Sequence, residues 1–153
     1  VLVALIADNV RTFDLFTPGA ALYREETAAM LDLVKLSDEA GETAALMSYG
    51  KQKQLELAIA LASEPDLLLL DEPTAGMSPQ ETLDSIALIG DIAARRKLTL
   101  LFTEHDMSVV FSMADRVSVL HHGELIATGT PEAVRADEEV RRIYLGGHAD
   151  AVT

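Results

Sequence analysis

The spacing of apolar and polar positions divides the chain into alternating helical and extended segments. Val1 to Phe16 is apolar with scattered polar residues and predicts a helix, broken by Thr17-Pro18-Gly19. It opens with no capping residue, as a chain cut inside a larger helical region would. Arg24 to Leu36 sets Ala28, Met30, Leu31, Leu33 and Val34 among charges, an amphipathic helix. Ser37 to Ala45 is polar and predicts a loop. A helix follows from about Gly50 to Ser63, with Leu55, Ala58, Ile59 and Ala62 on one face.

Glu64-Pro65-Asp66 stops that helix, and Leu67 to Leu70 is four leucines in a row before Asp71-Glu72-Pro73. A run this short between breakers predicts a strand buried on both faces. The next helix has distinct start signals: Ser78 as N-cap, Pro79 at the first position and Glu81 closing a capping box. It ends near Arg95-Arg96-Lys97, cations suited to the negative helix end. Leu98 to Phe102 predicts a second buried strand, and Thr103 to Asp106 leads into a short helix ending near Ala114. Arg116 to Leu120 and Leu125 to Thr128 predict a hairpin turning at His121 to Glu124. Thr130-Pro131 starts a helix to about Ala136, and Asp137 starts a last one to about Leu145. Strand, helix, strand, helix, strand implies an open α/β sheet with mostly parallel pairing. Sites in such sheets gather at the carboxyl ends of the strands. Asp71, Glu72, Glu104 and His105 all fall just past strand ends.

Composition narrows the picture. The 153 residues carry 12 Lys and Arg against 25 Asp and Glu, a formal charge of −13. A phosphate-backbone binder needs a basic face, so no nucleic-acid partner is expected. Cysteine is absent, which excludes disulfides, thiol nucleophiles and Cys-type zinc sites. Val1 to Ala7 is the longest unbroken apolar stretch, far short of the roughly 20 residues a spanning helix needs. No basic region precedes it, which makes it a poor signal peptide. The expectation is an acidic, soluble α/β protein of a reducing compartment.

Three segments carry candidate chemistry. An apolar strand that delivers Asp71 and Glu72 at its tip resembles a Walker B element. Its first carboxylate would hold Mg²⁺ and its second would polarise an attacking water. Consecutive strand residues face opposite ways, so the two carboxylates can serve different tasks. The plainer reading is two acids leading into a turn. Met47 to Gln52 stands immediately before a helix, and a serine, a glycine and free helix N–H groups make an anion site. The plainer reading makes Ser48 a simple N-cap. His105 follows a strand and could bond a phosphate oxygen or orient water. His121 and His122 are read as turn residues, since neighbours in an extended segment diverge and do not chelate one metal.

In their order along the chain these pieces resemble an ABC transporter ATPase, the nucleotide-binding subunit of an ATP-driven transporter. Ser48, Tyr49, Gly50, Lys51 and Gln52 are similar to its signature motif, Leu67 to Glu72 to its Walker B, Ala75, Gly76, Met77 and Ser78 to its D-loop, and His105 to its switch histidine. Asp71 to Ser78, Glu104 to Met107 and the tail Ile143 to Gly146 look most like the branched-chain amino-acid importer class. The resemblance implies part of a P-loop NTPase core (residues 64–153) with a helical signature subdomain (1–63). It implies Mg-ATP hydrolysis coupled to solute import, with Asp71 on Mg²⁺ and Glu72 and His105 catalytic. Two subunits would sandwich two ATP molecules, each site joining one subunit's Asp71, Glu72 and His105 to the other's Ser48 and Gly50. Partner permease subunits would hold the cytoplasmic protein at the membrane.

Two departures stand out. The family signature usually reads Leu-Ser-Gly-Gly-Gln, whereas Met47, Tyr49 and Lys51 replace its Leu, first Gly and Gln. Lys51 adds a cation near the expected phosphate, useful there or merely solvated. Further, none of the nine glycines begins a P-loop, the pattern of Gly, four residues, Gly-Lys and Ser or Thr. The chain therefore looks like the C-terminal portion of such a subunit, expected to be inactive alone. The family's P-loop strand lies between the strands expected at Leu98–Phe102 and Arg116–Leu120. Without it the gap is expected either to close by a non-native pairing or to be filled by another copy of the chain, and the second outcome would drive self-association. The runner-up is a non-catalytic module that docks on a full ATPase subunit. A third reading is an ABC ATPase of repair or translation, against which the charge and the importer-like tail weigh.

Overall fold

The computed structural model describes residues 1–8 and 23–145, which fall into two compact units, Val1–Thr103 and Glu104 onward. The predicted helix beyond Asp8, its Pro18-Gly19 break and Gly146 lie outside the described residues.

In the first unit, helix α1 spans Leu2–Asp8 and α2 Arg24–Leu33, three residues shorter than its apolar pattern suggests. The cause is a Schellman ending. Lys35 takes the left-handed conformation (φ 58°), its N–H donates to Asp32 O, and Leu36 N–H reaches back to Leu31 O. That turn drives Leu36 into the core, where it is fully buried beside Val34 and Met30. After a 3₁₀ turn at Ala44–Leu46 within the expected loop, α3 spans Tyr49–Leu61. Ala58 and Ala62 of the predicted stripe are buried, but Leu57 and Leu61 complete the inward face in place of Leu55, which is half-buried, and Ile59, which is 45% exposed. Leu55, Leu57, Ile59 and Leu61 make this helix apolar on several sides. Its packing against α2 and α4 decides which side is buried.

Strand β1 (Leu67–Asp71) pairs in parallel with β2 (Thr99–Thr103), joined by α4 (Pro79–Arg96). The ladder runs from Leu67 opposite Thr99 to Asp71 opposite Thr103. Helix α4 has the predicted capping box: Ser78 Oγ accepts from Glu81 N–H, and Glu81 accepts from Ser78 N–H. Its Leu88, Ile89 and Ile92 are buried. The strands, however, are not covered on both faces. Leu68 is buried, but Leu69 is 65% and Leu101 61% exposed. Strand form survives because the leucines alternate across the pleat and one face suffices for the core.

The second unit holds α5 (Met107–Met113), strands β3 (Val117–His121) and β4 (Glu124–Gly129), α6 (Pro131–Ala136) and α7 (Glu138–Val140). Helix α7 runs on as a π-helical turn over Arg141–Leu145. Strands β3 and β4 form an antiparallel hairpin closed by His122 and Gly123, both at positive φ (49° and 82°) as a type I′ turn requires. A bulge places Ile126 between the partners of Val119 and Leu120. Val117, Val119, Val134 and Val140 are buried. Among the described residues β2 pairs only with β1, and β3 only with β4.

Candidate functional site

Asp71 closes β1, opposite the last residue of β2. The Thr103 hydroxyl donates to Asp71 Oδ1, which fixes the carboxylate at the carboxyl end of the parallel pair. Thr103 also receives Glu72 N–H, at its carbonyl (3.0 Å) and at its hydroxyl (3.2 Å). Thr103 thus holds the Asp71 carboxylate and the Glu72 backbone. The sequence placed it at the strand end without a role, and the signal was its register with Asp71.

Glu72 does not continue the pleat as expected. Its φ is 44°, so the backbone turns at this residue and strand alternation no longer sets the two carboxylates apart. The turn continues through Ala75 N–H to Glu72 O and Met77 N–H to Thr74 O, with Thr74 buried and Gly76 at φ 75°. Ala75, Gly76, Met77 and Ser78 therefore form one tight turn between β1 and α4.

The segment Ser48 to Gln52 is the first turn of α3. Ser48 Oγ accepts from Lys51 N–H at 3.4 Å, the capping geometry of an N-terminus whose remaining N–H groups suit an anion. The Gln52 amide donates to the carbonyls of Ala44 and Met47, both at 3.2 Å, and ties the approaching chain to the helix. The Lys51 side chain is 44% exposed but is not free for a phosphate. Its ammonium pairs with Glu39 in the preceding loop, and that bond holds the Glu39 carboxyl below its usual range and raises Lys51. Spacing along the chain did not single out Glu39, which lies 12 residues away in a loop rich in acids. The Lys53 ammonium lies 5.6 Å from the centre of the Tyr49 ring.

The structure brings the turn of α3 to the turn before α4. A methyl placed on Gly76 would meet Tyr49 Cε1 at 3.6 Å, and one placed on Gly50 would meet Glu81 Oε1 at 3.1 Å. Tyr49, Gly50, Gly76 and Ser78 thus share one surface of the first unit.

His105 belongs to the second unit, exposed at the turn into α5. Its neighbour Asp106 caps α5, accepting from Ser108 Oγ at 2.6 Å and Ser108 N–H at 2.8 Å, and these bonds lower its pKa. His121 and His122 do not diverge: the left-handed turn at His122 sets their rings edge to face, 4.1 Å apart. Tyr144 Oη donates to Leu120 O at 2.8 Å and fastens the π-helical turn to the hairpin.

Among the described residues no three His, Cys, Asp or Glu side chains cluster to hold a metal. The donors present are carboxylate and hydroxyl oxygens at one strand end. They fit a hard cation such as Mg²⁺, which keeps water and phosphate ligands and needs few protein carboxylates. Among the described residues no helix is long and apolar enough to cross a membrane.

Comparison with known proteins agrees with this fold. The family described as ABC transporter matches residues 3–75, and the family described as branched-chain amino acid ATP-binding cassette transporter matches residues 124–150. BraF, the high-affinity branched-chain amino acid transport ATP-binding protein of Pseudomonas aeruginosa, is 40% identical over 80% of this chain and 48% of its own length. LivG of Escherichia coli, with the same description, is 38% identical over the same shares. The ADP conformation of MJ1267, an ATP-binding cassette of an ABC transporter, superposes with a TM-score of 0.72 at 30% identity, over 80% of this chain and 49% of that one. The chain spans about half the length of the curated relatives it matches. The chain belongs to the ABC transporter ATP-binding family and resembles its branched-chain amino-acid class.

Proposed function

We propose that the protein acts as the ATP-hydrolysing subunit of a branched-chain amino-acid importer. It works as a dimer of ATPase subunits docked from the cytoplasm on membrane permeases. Residues 1–63 are its helical signature subdomain and 64–153 belong to its ATPase core. The observation that carries the reading is the Asp71–Glu72 pair held by Thr103 at the carboxyl ends of parallel strands. Asp71 holds Mg²⁺, which when bound neutralises charge on the ATP phosphates. Glu72 orients the attacking water and takes its proton, and His105 positions that water or the leaving phosphate. Ser48 and Gly50, with the N–H groups of the α3 turn, receive the nucleotide of the opposing subunit. Tyr49, Lys51 and Gln52 shape that turn, and Ala75 to Ser78 line the dimer contact.

Replacing Glu72 by Gln should lower hydrolysis by the assembled dimer about 10²–10⁴-fold while ATP-driven dimerisation persists. Near-normal hydrolysis would remove Glu72 from the catalytic role. Asp71→Asn should instead raise the Mg²⁺ concentration needed. The 153 residues alone contain no P-loop sequence, so calorimetric titration of them with Mg-ATP should give no heat. The exposed Leu67, Leu69 and Leu101 support their self-association, which light scattering measures.

A further inference from the structure

The Glu81 carboxylate lies between two helix starts. One oxygen, Oε2, accepts from Ser78 N–H at 2.9 Å and Ser78 Oγ at 2.7 Å, closing the cap of α4. The other, Oε1, faces the first turn of α3, where a methyl on Gly50 would stand 3.1 Å from it and 3.5 Å from Cδ. A methyl at this position would require the carboxylate to give way by a few tenths of an ångström. The bonds from Ser78 N–H, then from its hydroxyl, hold Glu81 ionised below its usual range. A carboxylate is favoured at the positive N-terminal end of a helix, and this one has two such ends beside it. Beside it, the Tyr49 ring stands where a methyl on Gly76 would meet it at 3.6 Å.

We infer that Glu81 is a positioning residue that joins the signature turn at Ser48–Gln52 to the D-loop at Ala75–Ser78 within one chain. This rests on the proposed ATPase reading for its meaning: the two turns contact the opposing subunit, and Glu81 makes them one body. An anion arriving at the α3 turn meets a carboxylate already bonded to the D-loop serine. The sequence offered Glu81 only as a helix cap, and the family motifs do not use it.

Hydrogen exchange separates a joint from a cap, and it needs no catalysis. The amides to follow are those of Lys51 and Gln52, bonded to Ser48 Oγ and Ser48 O. Ser78→Ala removes the serine hydroxyl that caps α4, whereas Glu81→Ala removes both the cap and the contact with Gly50. Glu81→Ala should speed exchange at Lys51 and Gln52 about fivefold, the usual worth of one lost polar contact, and leave β1 and β2 amides unchanged. Ser78→Ala should leave Lys51 and Gln52 unchanged, and Glu81→Gln, which keeps the shape, should restore most of the protection. Equal effects of Ser78→Ala and Glu81→Ala at Lys51 and Gln52, or none from either, would overturn the inference. A Glu81→Ala protein with faster exchange throughout has lost its fold, and Glu81→Gln then decides: unchanged exchange at Lys51 and Gln52 supports the joint only if Gly50→Ala, which crowds Oε1, speeds exchange in the Ala75–Ser78 turn. No such change would overturn it. Failure of the ATPase reading shows separately, as near-normal hydrolysis by Glu72→Gln.

Discussion

The two units pair their strands in opposite ways. In the first, β1 finds β2 across the whole of α4, and the pair is parallel. In the second, β3 meets β4 across two residues, antiparallel and with a bulge. A parallel pair needs a crossover, so its carboxyl ends lie together and can collect side chains from distant segments. Asp71 and Thr103 meet in this way. The hairpin pairs neighbours in sequence, and the more distant Tyr144 bonds the carbonyl of Leu120. The proposed chemistry follows the long connection, and the local one serves as a scaffold.

The comparison can be broken by mutation. Ile92 is almost fully buried on α4, the crossover that brings β1 to β2. Ile92→Ala should cost about 2–5 kcal/mol by leaving a cavity. Exchange at β1 and β2 amides should accelerate while β3 and β4 amides keep their protection. If all four strands lose protection together, the units unfold as one and the contrast is wrong. Gly123→Ala tests the other side. Nothing stands within 4 Å of an added methyl, so the cost is that of positive φ alone, about 1–2 kcal/mol. It should appear at hairpin amides and spare Asp71 and Thr103.

The smallest effect belongs to Glu39 and Lys51. Folding lowers the Glu39 pKa, so its contribution is present above the ordinary carboxylate range and fades as pH falls through the lowered value. Folding raises Lys51, so its contribution is present below the ordinary ammonium range and fades as pH rises through the raised value. The pair is therefore intact at neutral pH. High salt should weaken it, and Glu39→Gln at pH 7 should shift the thermal unfolding midpoint less than either core or turn substitution. A larger shift would mean that the α3 turn depends on this pair more than on its serine cap.

Much of this was legible in local sequence. Ser78, Pro79 and Glu81 announced α4 because a capping box satisfies helix-end N–H groups from residues three apart. Leu67 to Asp71 read as a strand ending in acids, and the order of Ser48–Gln52, Asp71–Glu72, Ala75–Ser78 and His105 carried the family. The face of α3 was not legible, since apolar residues occupy several sides of that helix and only its neighbours choose among them. The end of α2 was misread because a lysine, not a glycine, takes the left-handed position.

What the sequence determined alone is whatever depends on residues within a turn or two: the helix starts, the strand runs, the hairpin and the motifs in their order. Tertiary structure decided the rest. It set Thr103 against Asp71, Glu39 against Lys51 and Glu81 against Gly50. Each pair is separated by 12 to 32 residues or joins two different helices. Distances of that kind are fixed by how β1, β2, α3 and α4 pack, because spacing along a chain carries no information about which loops a shared core draws together.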